Sequence, residues 1–170
     1  ETTDVHISAS TVMWCPTSLV FSGVRGALVE NCALRGNSSD LYLAASTVRL
    51  QNCTLEAPGT TQCRLVMASL LDMVNSTSDR SGTEFDDNRS RLNISWYLAV
   101  HAVWSDGRPV PGASLSITDS SGAVVENTTV DSGGSATGLV LREASIDLDA
   151  AETFTPHHVS CAQGPVRNET

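Results

Sequence analysis

A strand-and-turn pattern recurs in the first half of the chain, and it constrains the fold more than any other feature. The segment STVRLQNCTLE (46–56) alternates apolar and polar residues, as a strand with one buried face does. A similar frame, GALVENCALR (26–35), lies 21 residues earlier, and another, SLLDMVNSTS (69–78), lies 23 residues later. A looser copy, STVMWCPTS, occupies 10–18. A unit of this length cannot bury its own inner face, so successive units are expected to stack as coils.

The frames at 27–34 and 46–55 resemble the right-handed parallel β-helix repeats of surface and polysaccharide-processing proteins. The resemblance covers about residues 5–80. In such coils an asparagine at the turn points inward and stacks on its counterparts, and Asn31, Asn52 and Asn75 occupy that position here. The same register predicts Cys32 and Cys53 as stacked neighbours inside the solenoid. They would be close enough for a disulfide only if the strands relax.

The second half has a different rhythm, with strands of five to nine residues separated by tight turns over 91–143. The prolines of RPVPGA (108–113) favour an edge or a bend. DSSG (119–122) and DSGG (131–134) are predicted to be hairpin turns. This spacing is typical of an all-β sandwich.

Over about residues 93–170 the chain resembles the Ig-like, carboxypeptidase-regulatory-type modules of bacterial and archaeal surface proteins. Their frame is matched by Asp106, Gly107, Pro109, Val110, Gly112, Ala113, Asp119 and Gly122. The combination with a β-helix is similar to large archaeal surface-layer or sheath proteins. The resemblance implies an architectural role and no catalytic residues.

The predicted fold is therefore all-β, with a short parallel β-solenoid followed by an Ig-like β-sandwich. The solenoid is assigned to residues 1–85 and the sandwich to 86–170. The chain runs out at GPVRNET (164–170), in the turn where such modules continue into a final strand.

The N-terminal segment has the length and alternation of that missing strand. Thr3, Val5 and Ile7 fall on one face of it. Residues 1–8 are therefore expected to complete the C-terminal module of another unit, by strand donation between chains or by continuity in a tandem repeat. A head-to-tail contact of this kind does not close on itself and grows a filament or sheath.

Asparagine usage points to an N-glycosylated protein of the extracellular cell surface. Seven of the eight asparagines open an N-x-[ST] triplet, where chance would place about two. These candidate glycan sites are Asn37, Asn52, Asn75, Asn88, Asn93, Asn127 and Asn168. If the asparagine column points inward, Asn52 and Asn75 cannot carry glycans. Asn37 is a better candidate, because it lies in the turn RGNSSD.

The cysteines fit an oxidising environment, because they show no CxxC pairing and no metal-ligand spacing. The disulfide candidates are Cys15, Cys32, Cys53, Cys63 and Cys161. Since five is odd, we expect two disulfides and one thiol that is free or bonded to another molecule.

Charge and apolar runs exclude several classes of partner. The net charge is −9 and lysine is absent, so nothing resembles the basic cluster that nucleic acid requires. The longest apolar stretch, 64–74, is too short to span a bilayer. The expected partner is another copy of the chain.

No motif frames a catalytic or cofactor site. The candidate acids are Asp86, Asp87, Asp147, Asp149 and Glu152. His157 and His158 could suggest a metal site, but adjacent side chains of a strand face opposite sides, so the two could not easily bind one ion. The hard oxygens of EFDDNRS and DSSG could bind calcium, although neither segment has EF-hand spacing.

Two function classes remain open from the sequence. The favoured one is a non-catalytic structural subunit of an S-layer, sheath or filament. The alternative is a carbohydrate-binding or carbohydrate-active β-helix protein or adhesin, which needs a cluster of carboxylates or aromatics. The three tryptophans, Trp14, Trp96 and Trp104, are predicted to anchor cores instead of forming a sugar platform.

Overall fold

Short strands separated by tight turns account for nearly all regular structure. In a computed structural model, which describes residues 2–3, 5–56 and 61–164, helix is confined to one 3₁₀ turn at Arg80–Gly82. The strands are β1 Thr2–Thr3, β2 His6–Ser8, β3 Thr11–Met13, β4 Thr17–Ser22, β5 Val24–Glu30, β6 Ala33–Arg35, β7 Ser39–Ala44, β8 Thr47–Gln51, β9 Thr54–Leu55, β10 Cys63–Val66, β11 Leu70–Val74, β12 Thr83–Phe85, β13 Arg91–His101, β14 Ser114–Thr118, β15 Val124–Thr129, β16 Ser135–Ile146, β17 Ala151–Thr153 and β18 His158–Ala162.

The first strands wind into a β-solenoid of about four turns, which confirms the predicted solenoid. Each coil visits three parallel sheets in turn. Face A contains β1 and β2, then β5, β8, β11 and the start of β13. Face B contains β3, β6 and β9, and face C contains β4, β7, β10 and β12. The predicted alignment is also the observed register, since Leu71 pairs with Val48 and Met73 with Leu50.

Alternation fills the interior of the solenoid with aliphatic side chains. Val48 and Leu50 on β8 are fully buried, while Arg49 between them is exposed. The same holds one coil on, where Leu71 and Met73 point inward. Burying each such side chain contributes about 1.5–3 kcal/mol, so the core of stacked coils is the main stabilising feature of this unit.

The chain divides into two compact units, Glu1–Trp96 with Arg142–Glu152, and Tyr97–Leu141 with Thr153–Thr170. The domain boundary predicted between residues 85 and 86 falls inside the first unit. That unit includes a second passage of the chain, because β16 follows β13 in the strand order of the sheet that forms face A.

The second unit contains the antiparallel sheet β15-β14-β18 and its own apolar core. Leu115 and Ile117 of β14 are fully buried in that core. The prediction for DSSG is confirmed, since Asp119–Gly122 joins the paired strands β14 and β15. DSGG is also a turn, with Gly134 at φ 76°, but it joins strands of different sheets.

Candidate functional site

An asparagine column runs along the turn between faces A and B. Asn31, Asn52 and Asn75 all adopt left-handed φ angles, of 54°, 53° and 48°. The Nδ2 of Asn75 donates to Oδ1 of Asn52 at 2.8 Å, and the Nδ2 of Asn52 donates to Oδ1 of Asn31 at 3.3 Å. The stacking is as predicted, but the inward direction is wrong, because all three residues are exposed. Asparagine suits this column because its short polar side chain tolerates the left-handed conformation.

The residue after each asparagine turns inward, and in the first coil Ser10 follows Ala9 at the same turn position; together these residues form a second column. Its members are Ser10, Cys32, Cys53 and Ser76, and each side chain donates to the carbonyl two residues earlier. Cys32 and Cys53 are both buried and one coil apart, as the sequence predicted. The two thiols thus occupy positions that hydroxyls fill in the other coils. Burial raises the pKa of Cys53.

All five cysteines lie within the described ranges, and all five thiols are free. The structure therefore does not support the expected pair of disulfides. Cys63 is fully buried, and this burial, together with the nearby Asp40 charge, raises the pKa of its thiol. Cys15 is half-buried, whereas Cys161 is exposed on β18.

A buried serine column lies at the other end of face A. The backbone N–H of Val24 donates to Oγ of Ser46, that of Ser46 to Oγ of Ser69, and that of Ser69 to Oγ of Ser90, at 3.0–3.2 Å. The three serines are at most 2% exposed. The column thereby satisfies backbone donors that would otherwise be buried without partners.

Asp87 closes this column at its last member. Its carboxylate accepts hydrogen bonds from the hydroxyl and N–H of Ser90 and from the N–H groups of Arg89 and Ala68. Desolvation opposes ionisation, but these four donors outweigh it and lower the pKa of Asp87 to about 2. The ionised carboxylate is therefore part of the turn that joins β12 to β13.

The stability of the first unit is expected to fall in acid as Asp87 is protonated. Because the folded pKa lies below the ordinary value of 3.8, the stabilisation is complete above about pH 4 and is lost as the pH falls towards 2. Urea unfolding of wild type and Asp87→Asn should therefore differ at pH 6 and converge near pH 2. The exposed Asp149→Asn is the matched control. An Asp87→Asn difference that stays constant with pH would contradict this role.

The described sequons fall into three structural groups. Asn37, Asn88 and Asn127 are exposed. Asn52 and Asn75 are exposed, but their amides donate within the asparagine column. Asn168 lies outside the described residues. Glycosylation itself stays a prediction at every one of these positions.

Asn93 forms the third group, because it is only 8% exposed. Its Nδ2 donates to Asp72 Oδ1 at 2.7 Å, and its Oδ1 accepts from Ser145 Oγ at 2.9 Å. Attaching a glycan to Nδ2 would require this buried amide to leave both partners. The structure therefore argues against Asn93 as a glycan site.

Expression in a host capable of N-glycosylation should separate these groups. Asn37→Gln, Asn88→Gln and Asn127→Gln are each expected to remove the mass of one complete glycan, measured on the intact protein. Asn93→Gln should leave the mass of attached glycan unchanged and should lower stability by about 1–3 kcal/mol through its lost hydrogen bonds. Peptide mapping that finds a glycan on Asn93 in folded protein would contradict this assignment.

The predicted polymer-contact residues lie in the first coil of their own chain. The backbone of Thr3 on β1 pairs with Arg25 of β5, and Ile7 on β2 pairs with Val29. Val5 and Ile7 pack, half-buried, against the end of the solenoid core. The segment is thus already paired within the chain, where the sequence predicted a contact with another copy.

The candidate acids are mostly engaged in local structure. Asp86 pairs with Arg64 at 2.7 Å, and Asp147 pairs with Arg91 at 3.3 Å. Asp119 of DSSG accepts from Ser121 and Ala123 within its turn, and these hydrogen bonds lower its pKa. Within the described ranges, no three His, Cys, Asp or Glu side chains come together as metal ligands do.

Two of the three tryptophans, which the sequence predicted to anchor cores, are exposed instead. Trp14 and Trp104 are 76% and 43% exposed, so the prediction is wrong for both. Trp96 packs against the solenoid core and belongs to a polar cluster. Its indole N–H donates to Glu143, and Arg80 Nη2 lies 2.7 Å from both oxygens of the same carboxylate. Desolvation opposes ionisation of Glu143, but the bonds from Arg80 and Trp96 lower its pKa.

Sequence patterns missed this cluster because its members are distant in the chain. Glu143 lies 63 residues from Arg80 and 47 from Trp96. A cavity adjoins the cluster and is lined by Met73, Ser76, Thr77, Ser78, Arg80, Ile94 and Trp96. Both the cluster and the cavity lie in the first unit.

Comparison with known proteins identifies no relative. No protein-family model matches the chain, and no curated protein or solved structure matches it significantly. Among the described residues, no helix has the length and apolar character needed to cross a membrane.

Proposed function

We propose that this chain is a non-catalytic structural subunit of an extracellular glycoprotein assembly such as an S-layer, sheath or filament. The observation that carries the proposal is the stack of about four coils held by repeated hydrogen-bonded columns. A solenoid of this kind is stabilised by contacts between neighbours, which suits an extended load-bearing element. The exposed sequons and the net charge of −9 support a solvated outer surface.

The second unit is proposed to be an Ig-like module of the carboxypeptidase-regulatory type. The support is the segment DGRPVPGA (106–113), which supplies the Asp, Gly, Pro-Val and Gly-Ala of the module's frame, together with the antiparallel sheet around β14. Two packed sheets would complete this assignment, with Leu115 and Ile117 facing the space between them.

Assembly is proposed to be head-to-tail, through strand complementation or tandem continuity. Strand β18 pairs with β14 on one side, and all five of its residues are exposed. An edge strand of this kind is a template for pairing with another chain. In the N-terminal segment of the chain, Val5 and Ile7 are only half-buried in the first coil of the solenoid.

The size of the secreted glycoprotein tests this proposal. Light scattering and non-reducing mass spectrometry should show high-mass polymers, before and after removal of the glycans. Deleting residues 1–8, or placing a charge on β18 with Val159→Lys, should leave monomers. Val124→Lys, on the opposite edge strand β15, is the matched control and should still polymerise. The proposal would be contradicted if the wild-type protein were monomeric at all concentrations. It would also be contradicted if neither the deletion of residues 1–8 nor Val159→Lys affected the polymers.

A carbohydrate-binding role is the second candidate function. The observation that favours it is the cavity beside Trp96, which combines several hydroxyls with an indole whose N–H donates to the carboxylate of Glu143.

A further inference from the structure

The cavity beside Trp96 has the size of a single small ring. Its volume is about 100 Å³. One bound water needs roughly 10–15 Å³ of such space, so the cavity accepts several groups of that size. It is too small for an oligosaccharide or a peptide segment, and a ligand would have to insert one ring.

The lining presents both apolar and hydrogen-bonding groups. Met73 and Ile94 belong to the solenoid core, and the Trp96 ring packs against that core. Thr77 and Ser78 supply hydroxyls. Ligand sites combine these two features, with apolar walls for contact and a few polar groups for orientation.

Ser78 is the polar group with the weakest existing bond. Its Oγ donates to the thioether sulfur of Met73 at 3.7 Å. A thioether is a poor acceptor, so the hydroxyl gains by turning to a ligand oxygen. Ser76, in contrast, is buried, donates to the Val74 carbonyl and accepts from the Cys53 N–H.

The charges at the cavity favour a neutral ligand. The Arg80 Nη2 lies 2.7 Å from both Glu143 oxygens, and the Trp96 N–H donates to the same carboxylate. The guanidinium is therefore already neutralised, and an anion would have to displace Glu143. A cationic ligand would find the Glu143 carboxylate already paired with Arg80.

We propose that this cavity binds one ring of a neutral sugar. The apolar C–H face of the ring would lie on the Trp96 indole, and a ring hydroxyl would accept from Ser78. This inference does not depend on the architectural role, because a soluble monomer would have the same cavity.

Titration of the unglycosylated full chain with methyl glycosides of glucose, galactose, mannose and N-acetylglucosamine tests the proposal. Nuclear magnetic resonance would follow the three indole N–H signals. At least one glycoside should shift the Trp96 signal saturably, with a Kd of about 1–10 mM, while Trp14 and Trp104 stay unchanged. Ser78→Ala should weaken binding about 5-fold, the loss of one hydrogen bond. The exposed Ser105→Ala is the matched control.

A second pair of variants covers the aromatic contact. Trp96→Phe should weaken binding, seen by saturation transfer to the glycoside, whereas Trp104→Phe should bind as wild type does. Absence of saturable binding up to about 100 mM for all four glycosides would overturn the proposal. So would unchanged affinity in folded Ser78→Ala and Trp96→Phe, or tighter binding of inorganic phosphate than of any glycoside at Trp96.

Discussion

Gly36→Ala is expected to lower the free energy of unfolding by about 3 kcal/mol, because the turn before β7 has no room for a methyl group. A Cβ at Gly36 would lie 1.8 Å from the backbone oxygen of Ser39 and 3.3 Å from that of Pro16. Backbone atoms cannot rotate away as a flexible side chain does. The Gly36 N–H also donates to Asp40 Oδ1 at 2.8 Å, and Asp40 is fully buried. Moving the turn would therefore disturb a buried carboxylate.

Urea unfolding followed by circular dichroism measures this effect. Gly164→Ala is the matched control, because a Cβ there meets no atom within 4 Å. It should change stability by no more than about 0.5 kcal/mol. Equal urea midpoints for the two variants would show that the turn at Gly36 relaxes easily, against this expectation.

Leu50→Ala should destabilise the solenoid by about 3–4 kcal/mol, through lost burial and the cavity left behind. Leu50 is fully buried on β8, between Val29 of the preceding coil and Met73 of the following coil. The parallel stack fixes all three strands, so the neighbours cannot collapse far into the space. Hydrogen exchange should show the largest loss of protection in β5, β8 and β11.

Leu148→Ala is the control for this substitution. Leu148 is 53% exposed, so the same chemical change there should cost about 0.5 kcal/mol or less. If Leu50→Ala unfolds at the same urea concentration as Leu148→Ala, the column of buried leucines is not the stabilising core. If protection is lost uniformly, including β14, the two units unfold together.

The solenoid could be predicted from the sequence because its signal is local and repeated. Alternation in 46–56 assigns Val48 and Leu50 to the inside, and the spacing of the frames gives the register. The burial of Val48 and Leu50 confirms the first prediction, and the pairing of Leu71 with Val48 and of Met73 with Leu50 confirms the second.

The direction of the asparagine column could not be predicted from alternation. Alternation assigns sides only along a strand, and the positive φ at Asn52 resets it at the turn. Asn52 therefore points out, and Cys53 after it points in. Only the backbone angle decides this, and the residue type is compatible with either side.

The serine column was missed although its signal was present. Ser46, Ser69 and Ser90 are spaced by 23 and 21 residues, as the asparagines nearly are. Serine is so common in this chain, however, that the spacing does not stand out from the other serines. The cluster of Arg80, Trp96 and Glu143 had no local signal, since β16 brings Glu143 to it from a distant part of the sequence.

The columns at both ends of face A repeat with every coil, at separations of 21 to 23 residues. An additional copy of one whole coil, inserted between existing coils, would meet the same donors on one side and the same acceptors on the other. An insertion of only a few residues within a strand would misalign both columns and the leucine core at once. The solenoid is therefore built to change length in quanta of one coil, and duplication of a coil's coding segment would lengthen it without redesigning its neighbours.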